Sequence, residues 1–317
     1  MAKVTNAFST YSAQGNREQL SNVIYNIDPF DTPIMNSIGR RNVSGRIFDW
    51  QTENLPAVNA NNAKEEGFEL SRSASQATVR VSNTTQISSR DATVAGSQEA
   101  ADAAGKRSEM AHQLALNSKA LKRDMESILS SNQARAAGND SGTARKTRAI
   151  EHWITTNSSY GASGADPVSE TASVTDGTLR QLTETIFNDA IESAFIAGAE
   201  PKVAVVYPSL KRRISTFTGR SGSQVPVSKA EVVNSVDLYR SDFGDIKIVP
   251  SRWVRNRTVL LLDPEYCALA YFRNFQTTDI AKIGDADTKM IVAEWGVEMR
   301  NEAAHAKIAD VQAAAVE

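Results

Sequence analysis

Between two strand-like segments of this chain, at 46–51 and 77–88, lies TENLPAVNANNAKEEGFELSRSASQ, a polar stretch over residues 52–76. No hairpin turn needs so many residues, and loops beyond about 15 residues without structure of their own are uncommon in compact domains. In the first flanking segment Arg46, Phe48 and Trp50 alternate with Ile47, Asp49 and Gln51, which predicts a strand with an aromatic face. In the second, Val79, Val81, Thr85 and Ile87 share one face. Thr78, Arg80, Ser82, Thr84, Gln86 and Ser88 share the other, at the period of two of a half-buried sheet. Paired, the two segments make a long ribbon with an oversized tip. Leu55, Val58, Phe68 and Leu70 are scattered over that tip at no period that could build a core. Either the tip is a mobile surface loop, or Leu55, Phe68 and Leu70 are buried only against another copy of the chain.

Before the ribbon, NIDPFDTPIMNSIG carries Pro29 and Pro33, which forbid a continuous helix and predict an extended arm with a brief helical turn or two. After Gly96 the pattern becomes helical. Met110, Leu114, Leu121, Met125, Ile128 and Leu129 recur at helical spacing, opposite Lys119, Lys122, Arg123, Asp124 and Glu126. With Gly105 before it and Gly138 after it, the expectation is one helix over 106–137, about 45–50 Å long. A second helix is expected over 178–197, capped by Thr178 or Asp176, with Leu179, Leu182, Ile186, Ala190, Ile191 and Ala194 inward. KVAVVY (202–207) reads as a fully buried strand, and Pro208 opens a short helix. Two strand pairs follow, EVVNSVDLYR with IKIVP and RTVLLLD with CALAYF, and TKMIVAEWGVEMR has strand character. The loops SSYGASGADPVSETASVTDG and TGRSGSQVPVS separate these parts, the first as a candidate domain boundary.

Length and composition fit about two α+β domains with a real core. The chain has 317 residues, 41% of them hydrophobic and 23% charged. A formal charge of −2 provides no global field toward nucleic acid or an anionic membrane. Cys267 is the single cysteine, which excludes an internal disulfide framework and a cysteine-built zinc site and fits a reducing cytoplasm. There is no signal peptide pattern and no apolar run of membrane-spanning length. His112, His152 and His305 stand in separate segments without ligand spacing, no phosphate loop or GxSxG elbow is present, and DFG at 242–244 is read as a hairpin turn. No catalytic, cofactor-binding or metal-binding residue is therefore assigned. Charge is placed unevenly: residues 201–260 carry 11 Lys+Arg against 4 Asp+Glu, and residues 261–317 carry 5 against 10. These are either solvated faces or complementary surfaces of meeting copies.

Arm, ribbon with a long tip, long helix, central α+β part and a sheet closed by the C-terminal segment together resemble the major capsid proteins of tailed phages with the Hong Kong 97-like fold. The resemblance is carried by NIDPFDTPIMNSIG, FDWQTENLP, LKRDMES, WITTN, YRSDFGDIKIVPSRWV and AKIGDADTKM followed by EWGVEMRNEAAHAKI, across nearly the whole chain. It implies an N-terminal arm (1–42), an E-loop ribbon (43–91), a P-domain in two parts (92–159 with the spine helix, and 264–317) and an axial A-domain (160–263). It also implies a non-enzymatic shell of hexamers and pentamers that encloses double-stranded DNA without sequence-specific binding, assembled in the host cytoplasm. The implied partners are further copies, a portal, a possible decoration protein and a scaffolding protein, the last expected as a separate chain because this one starts almost at the arm. Phe48, Trp50, Leu55, Lys64, Phe68 and Leu70 are the candidate intersubunit contacts. In the fold's namesake an E-loop lysine joins an asparagine of a neighbour with a glutamate assisting. Lys64, the only lysine between 42 and 105, has no identifiable partner and is expected to be solvated. Two other readings remain open on the sequence. One is an encapsulin-like cargo shell; the other is a cytoplasmic α+β enzyme with its site in 157–176 and the ribbon as a dimerisation arm.

Overall fold

The computed structural model describes residues 29–53, 55–69, 75, 77–101, 105–217 and 237–314. Among the described residues its two larger sheets carry its two larger hydrophobic cores. The first sheet has four strands in the order β1 (Gly39–Asn42), β11 (Cys267–Ile280), β12 (Ala286–Met299) and β4 (Gln86–Ala95), antiparallel except for the β1–β11 pair. The second has six strands in the order β5 (Ser158–Ser159), β13 (Ala306–Ile308), β10 (Val259–Leu262), β7 (Val203–Val206), β9 (Gly244–Pro250) and β8 (Leu238–Ser241). The C-terminal segment thus completes both sheets.

The expected buried strand at 202–207 is β7, and its alternation explains how two cores share one sheet. Val203 and Val205, with Leu260 and Leu262 of β10, enter one core; Ala204 and Val206, with Val259 and Leu261, enter the other. Strands covered on both faces need apolar residues at every position, hence VAVV and VLLL. One face is closed by helix α5 (Glu184–Ile196) through Phe187, Ala190, Ile191 and Ala194, and by helix α6 (Pro208–Ile214) through Leu210 and Ile214. The hairpin between β8 and β9 turns at Gly244, φ +139°, a backbone that favours glycine, so DFG is a turn as expected.

Several expectations need correction. The long helix is α3, Glu109–Leu129, whose 21 residues span about 31 Å, not 45–50 Å. Ser108 caps it by accepting from Ala111 N–H, and it ends where Ser130 and Ser131 turn their hydroxyls onto the carbonyls of Glu126 and Ile128. Glu126 is not on the charged face; it is fully buried. Helix α5 begins at Glu184 with Thr183 as its cap, six residues later than expected, because 180–181 forms the short strand β6 paired with β14 (Val311–Gln312). The segments RTVLLLD and CALAYF are not a strand pair, since β10 and β11 lie in different sheets. The 77–88 segment is likewise two strands. β3 (Val79–Thr84) pairs with β2 (Ile47–Thr52), and β4 then leaves for the four-stranded sheet, so the ribbon is six residue pairs long. TGRSGSQVPVS lies outside the described residues.

The loop that follows helix α4 (Ile150–Trp153), over 157–177, is pinned in place. Asp310, buried and with φ +59°, accepts from Gly161 N–H at 3.2 Å and from Arg257 at 2.6 Å. A Cβ at Gly164 would lie 2.4 Å from Asp310 Oδ2, and one at Gly177 2.8 Å from it. Beside it Lys307, fully buried, donates to Asp166 at 3.0 Å and to the Glu151 carbonyl at 2.9 Å. Burial pushes its ammonium below the usual lysine range while Asp166 pulls the other way. The ion pairs Arg257–Asp310 and Lys202–Glu265 also consume, inside one subunit, part of the charge asymmetry between 201–260 and 261–317.

Candidate assembly surface

The ribbon is anchored at its base by aromatic packing. Phe48 and Trp50 point into the first core, their ring centroids 5.8 Å apart, and Trp50 meets Trp153 at 5.5 Å. Phe48 fits because β12 carries Gly296 beneath it, where a Cβ would come 2.8 Å from Phe48 Cε1. The aromatic face of 46–51 is therefore intramolecular. Phe48 and Trp50 are corrected from candidate contacts with a neighbour to core residues of their own subunit, which already leaves them only 6% and 9% exposed.

The point where the chain passes from β3 to β4 is held by polar groups that sequence periodicity does not show. Asn83, Thr84 and Thr85 are all fully buried. Asn83 donates to Val297 C=O at 2.7 Å and Thr147 Oγ1 at 3.0 Å, and its Oδ1 accepts from Thr84 N–H at 2.8 Å and Arg148 N–H at 3.1 Å. Thr85 donates to Glu294, which also receives Arg145 at 2.7 Å and Arg273 at 2.9 Å. A buried carboxylate is tolerated where its lone pairs are filled this way.

Beyond this base the tip leaves the body. Leu55 is 93% and Val58 99% exposed, and Phe68 is half exposed. Local order comes from two turns, Asn59 Oδ1 accepting from Asn61 N–H and Glu65 C=O accepting from Phe68 N–H, with Gly67 at φ +79°. Lys64 is exposed, its ammonium 6.0 Å from the Phe68 ring. Leu70 lies outside the described residues. The structure thus brings Lys64 and Phe68 together, leaves Leu55 and Val58 open to solvent, and removes Phe48 and Trp50 from the surface.

The described part of the arm is built into the subunit. Helix α1 (Pro33–Ser37) buries Ile34 and Met35, and its Ile34 and Met35 N–H groups donate to the two oxygens of Glu126 at 2.7 and 2.9 Å. Trp253 Nε1 donates to Asp31 C=O at 2.8 Å. Burial raises the Glu126 carboxyl to about 7 against the opposing pull of the two N–H donors. Next to this junction the arm, β1, α3 and β11 enclose a cleft of about 700 Å³, with Arg40, Arg41 and Lys122 among its lining.

The histidines with described burial at the core are structural. His305 is buried and accepts from Asp263 N–H at 3.1 Å, its pKa pushed down to about 4 by desolvation. His152 is buried and accepts from Arg148 Nε at 2.7 Å. Cys267 is buried, with its thiol pushed up to about 12. Among the described residues no group of three or more His, Cys, Asp or Glu could hold a metal ion, and no helix is long and apolar enough to cross a membrane.

Comparison with known proteins agrees with this architecture. A curated major capsid protein of Escherichia phage Phieco32 is 25% identical over an alignment covering 93% of this chain and 94% of that one. Among solved structures, the capsid of cyanophage A-1(L) matches with a TM-score of 0.68 at 12% identity, covering 96% of this chain and 99% of that one. The capsid of cyanophage P-SCSP1u matches at 0.63 with 11% identity over 99% and 97%. The SrpI encapsulin of Synechococcus elongatus matches at 0.59 with 11% identity over 98% of each chain, a lesser likeness that shares the fold. The fold is that of Hong Kong 97-like phage capsid proteins, α+β with an extended ribbon. The sequence model of the SU10 major capsid proteins matches residues 3–312, and the chain belongs to that family of phage major capsid proteins.

Proposed function

We propose that copies of this subunit interlock through the ribbon tip, each reaching over a neighbour, to form hexamers and pentamers that close into an icosahedral head around double-stranded DNA. One observation carries this reading: Leu55 and Val58 are almost fully exposed at the end of a ribbon whose base is immobilised by a buried network. Burying each such side chain against a neighbour is worth roughly 1.5–3 kcal/mol, and the sum over many subunits stabilises a shell without any single strong contact. In this reading 43–91 is the E-loop, α3 is the spine of a P-domain made of 92–159 and most of 264–317, and 160–263 is the A-domain, to which we add 306–308 because it pairs with β10. Portal, scaffolding and decoration proteins are its further partners, and DNA is enclosed without base readout. Deleting residues 54–74 tests the reading. The expected product is a soluble, folded subunit that forms no stable shells by negative-stain electron microscopy; intact shells from the deletion would refute it.

A further inference from the structure

We propose that the cleft between the arm, β1 and α3 is the receptor for the acidic tip of the ribbon from a second copy of this chain. The inference rests on the assembly role of the ribbon and adds where its tip lands. Phe30 of the arm and Tyr271 and Phe275 of β11 give the cleft aromatic walls, and Arg40, Arg41 and Lys122 make it cationic. Arg41 is engaged by Glu298 at 2.7 Å. Among the described residues Arg40 and Lys122 have no carboxylate within ion-pair distance. Lys122 sits 5.8 Å above the Phe275 ring instead, and the charge of Arg40 acts on the Tyr271 hydroxyl, opposing the upward push of burial.

The tip has the complementary chemistry. KEEGFEL places Glu65, Glu66 and Glu69 around Phe68, all three exposed and none in an ion pair among the described residues, while Lys64 lies 6.0 Å from the Phe68 ring. The Glu65–Phe68 turn and Gly67 project the ring and the carboxylates from one short bend. An exposed aromatic flanked by acids matches a cleft with aromatic walls and unpaired cations. A phosphodiester backbone would meet the cations but leave the walls unburied. Opposite charges on the two surfaces also select the docked register over like-with-like contacts between copies.

Charge exchange in the full chain tests the assignment, with particles counted by electron microscopy after expression. Arg40→Glu/Lys122→Glu alone, and Glu65→Lys/Glu66→Lys/Glu69→Lys alone, are each expected to lower particle yield at least about tenfold, and the two sets combined to restore most of it. Either set assembling like the parent, or a combination no better than its components, overturns the proposal. Particles that form normally with Arg40→Glu/Lys122→Glu but retain less DNA at rising salt overturn it in favour of a nucleic-acid contact. A second measurement does not depend on yield. With Cys267 buried, Arg40→Cys/Glu66→Cys should give a ladder of disulfide-linked chains on oxidation of assembled particles. Absence of that ladder, while deletion of 54–74 still abolishes shells, rejects this cleft and leaves the ribbon's role standing. Shells that survive the deletion reject the ribbon's role itself.

Discussion

The two ends of the ribbon are a few residues apart in sequence and opposite in physics. At the base, Phe48 and Trp50 pack in the subunit's own core and Asn83 is hydrogen-bonded within it; at the tip, Leu55 and Val58 are almost wholly in solvent. The difference teaches that the strand pair is a lever rather than a sheet. Its stability is supplied at one end, which leaves the other free for the contacts between copies proposed above. Substitutions at the base should therefore unfold or loosen the subunit, and those at the tip should leave it folded.

The largest effect is expected for Phe48→Ala, which empties a site between Trp50 and Gly296 and should destabilise the subunit by about 3–5 kcal/mol, read from urea unfolding of dissociated subunits. Gly296→Ala attacks the same contact from the other side. Its Cβ would stand 2.8 Å from the Phe48 ring, so the ring must shift, at a cost of about 1–3 kcal/mol. A loss at Phe48 no greater than at an exposed position would end the distinction between base and tip.

Asn83→Leu follows. It keeps the side chain's size but strips partners from Val297 C=O, Thr147 Oγ1 and the N–H groups of Thr84 and Arg148 in a buried site. Each buried group left without a partner costs about 1–3 kcal/mol, and partial relaxation should keep the total below that of Phe48→Ala. Hydrogen exchange should then show Thr84 and Thr85 opening before the rest of β4.

The arm junction lies between the extremes, and its effect depends on pH. Glu126 has a folded pKa raised to about 7 from an ordinary 4.5, so the folded state holds a proton that the unfolded state has released. Its contribution is fully present below about 4.5 and is lost as pH rises toward 7, with no further change above. Glu126→Gln removes the titration and one of the two acceptors for Ile34 and Met35 N–H. The difference in unfolding midpoint between parent and Glu126→Gln should accordingly be largest near pH 5 and shrink by pH 8. A difference that is flat across this range would show that Glu126 does not titrate there.

How much of this was legible in the sequence follows from the kind of signal each part leaves. The period of two in 46–51, the continuous apolar run of 203–206 and the Gly244 turn depend on local chemistry, and each appears where it was expected. The crossing at Thr84–Thr85 did not show, because alternation continues through it while the partner strand changes from β2 to β12. Glu126 was misplaced because helical periodicity assigns a carboxylate to the wet face, whereas here it serves the unpaired N–H groups at the start of α1, about 90 residues away in sequence. The excess length given to α3 has a similar origin. Residues 130–132 do not break a helix by composition alone, but Ser130 also donates to Trp253 C=O, and Asn132 pairs at both its side-chain atoms with Val174. For the assembly surface, Leu55, Lys64 and Phe68 are exposed on the tip, and their contact with a neighbour remains the proposal made above. The aromatics at 48 and 50 misled because an aromatic strand face looks the same whether its cover comes from the same chain or from another.

The smallest effect on the folded subunit should come from the most exposed residues. Leu55→Ser and Val58→Ser together remove apolar groups that are 93% and 99% in solvent, so the urea midpoint of the dissociated subunit should move by no more than about 0.5 kcal/mol. Each substitution nevertheless removes a group that a neighbour would bury, and the loss is repeated in every subunit of a shell. The double variant should therefore fold like the parent while its particles dissociate at lower denaturant, as followed by light scattering. A drop in subunit stability comparable to that of Phe48→Ala would mean that the tip is packed within its own chain in solution. Unchanged particle stability would mean that Leu55 and Val58 stay in solvent after assembly, which would leave the acidic residues around Phe68 as the part of the tip that engages a neighbour.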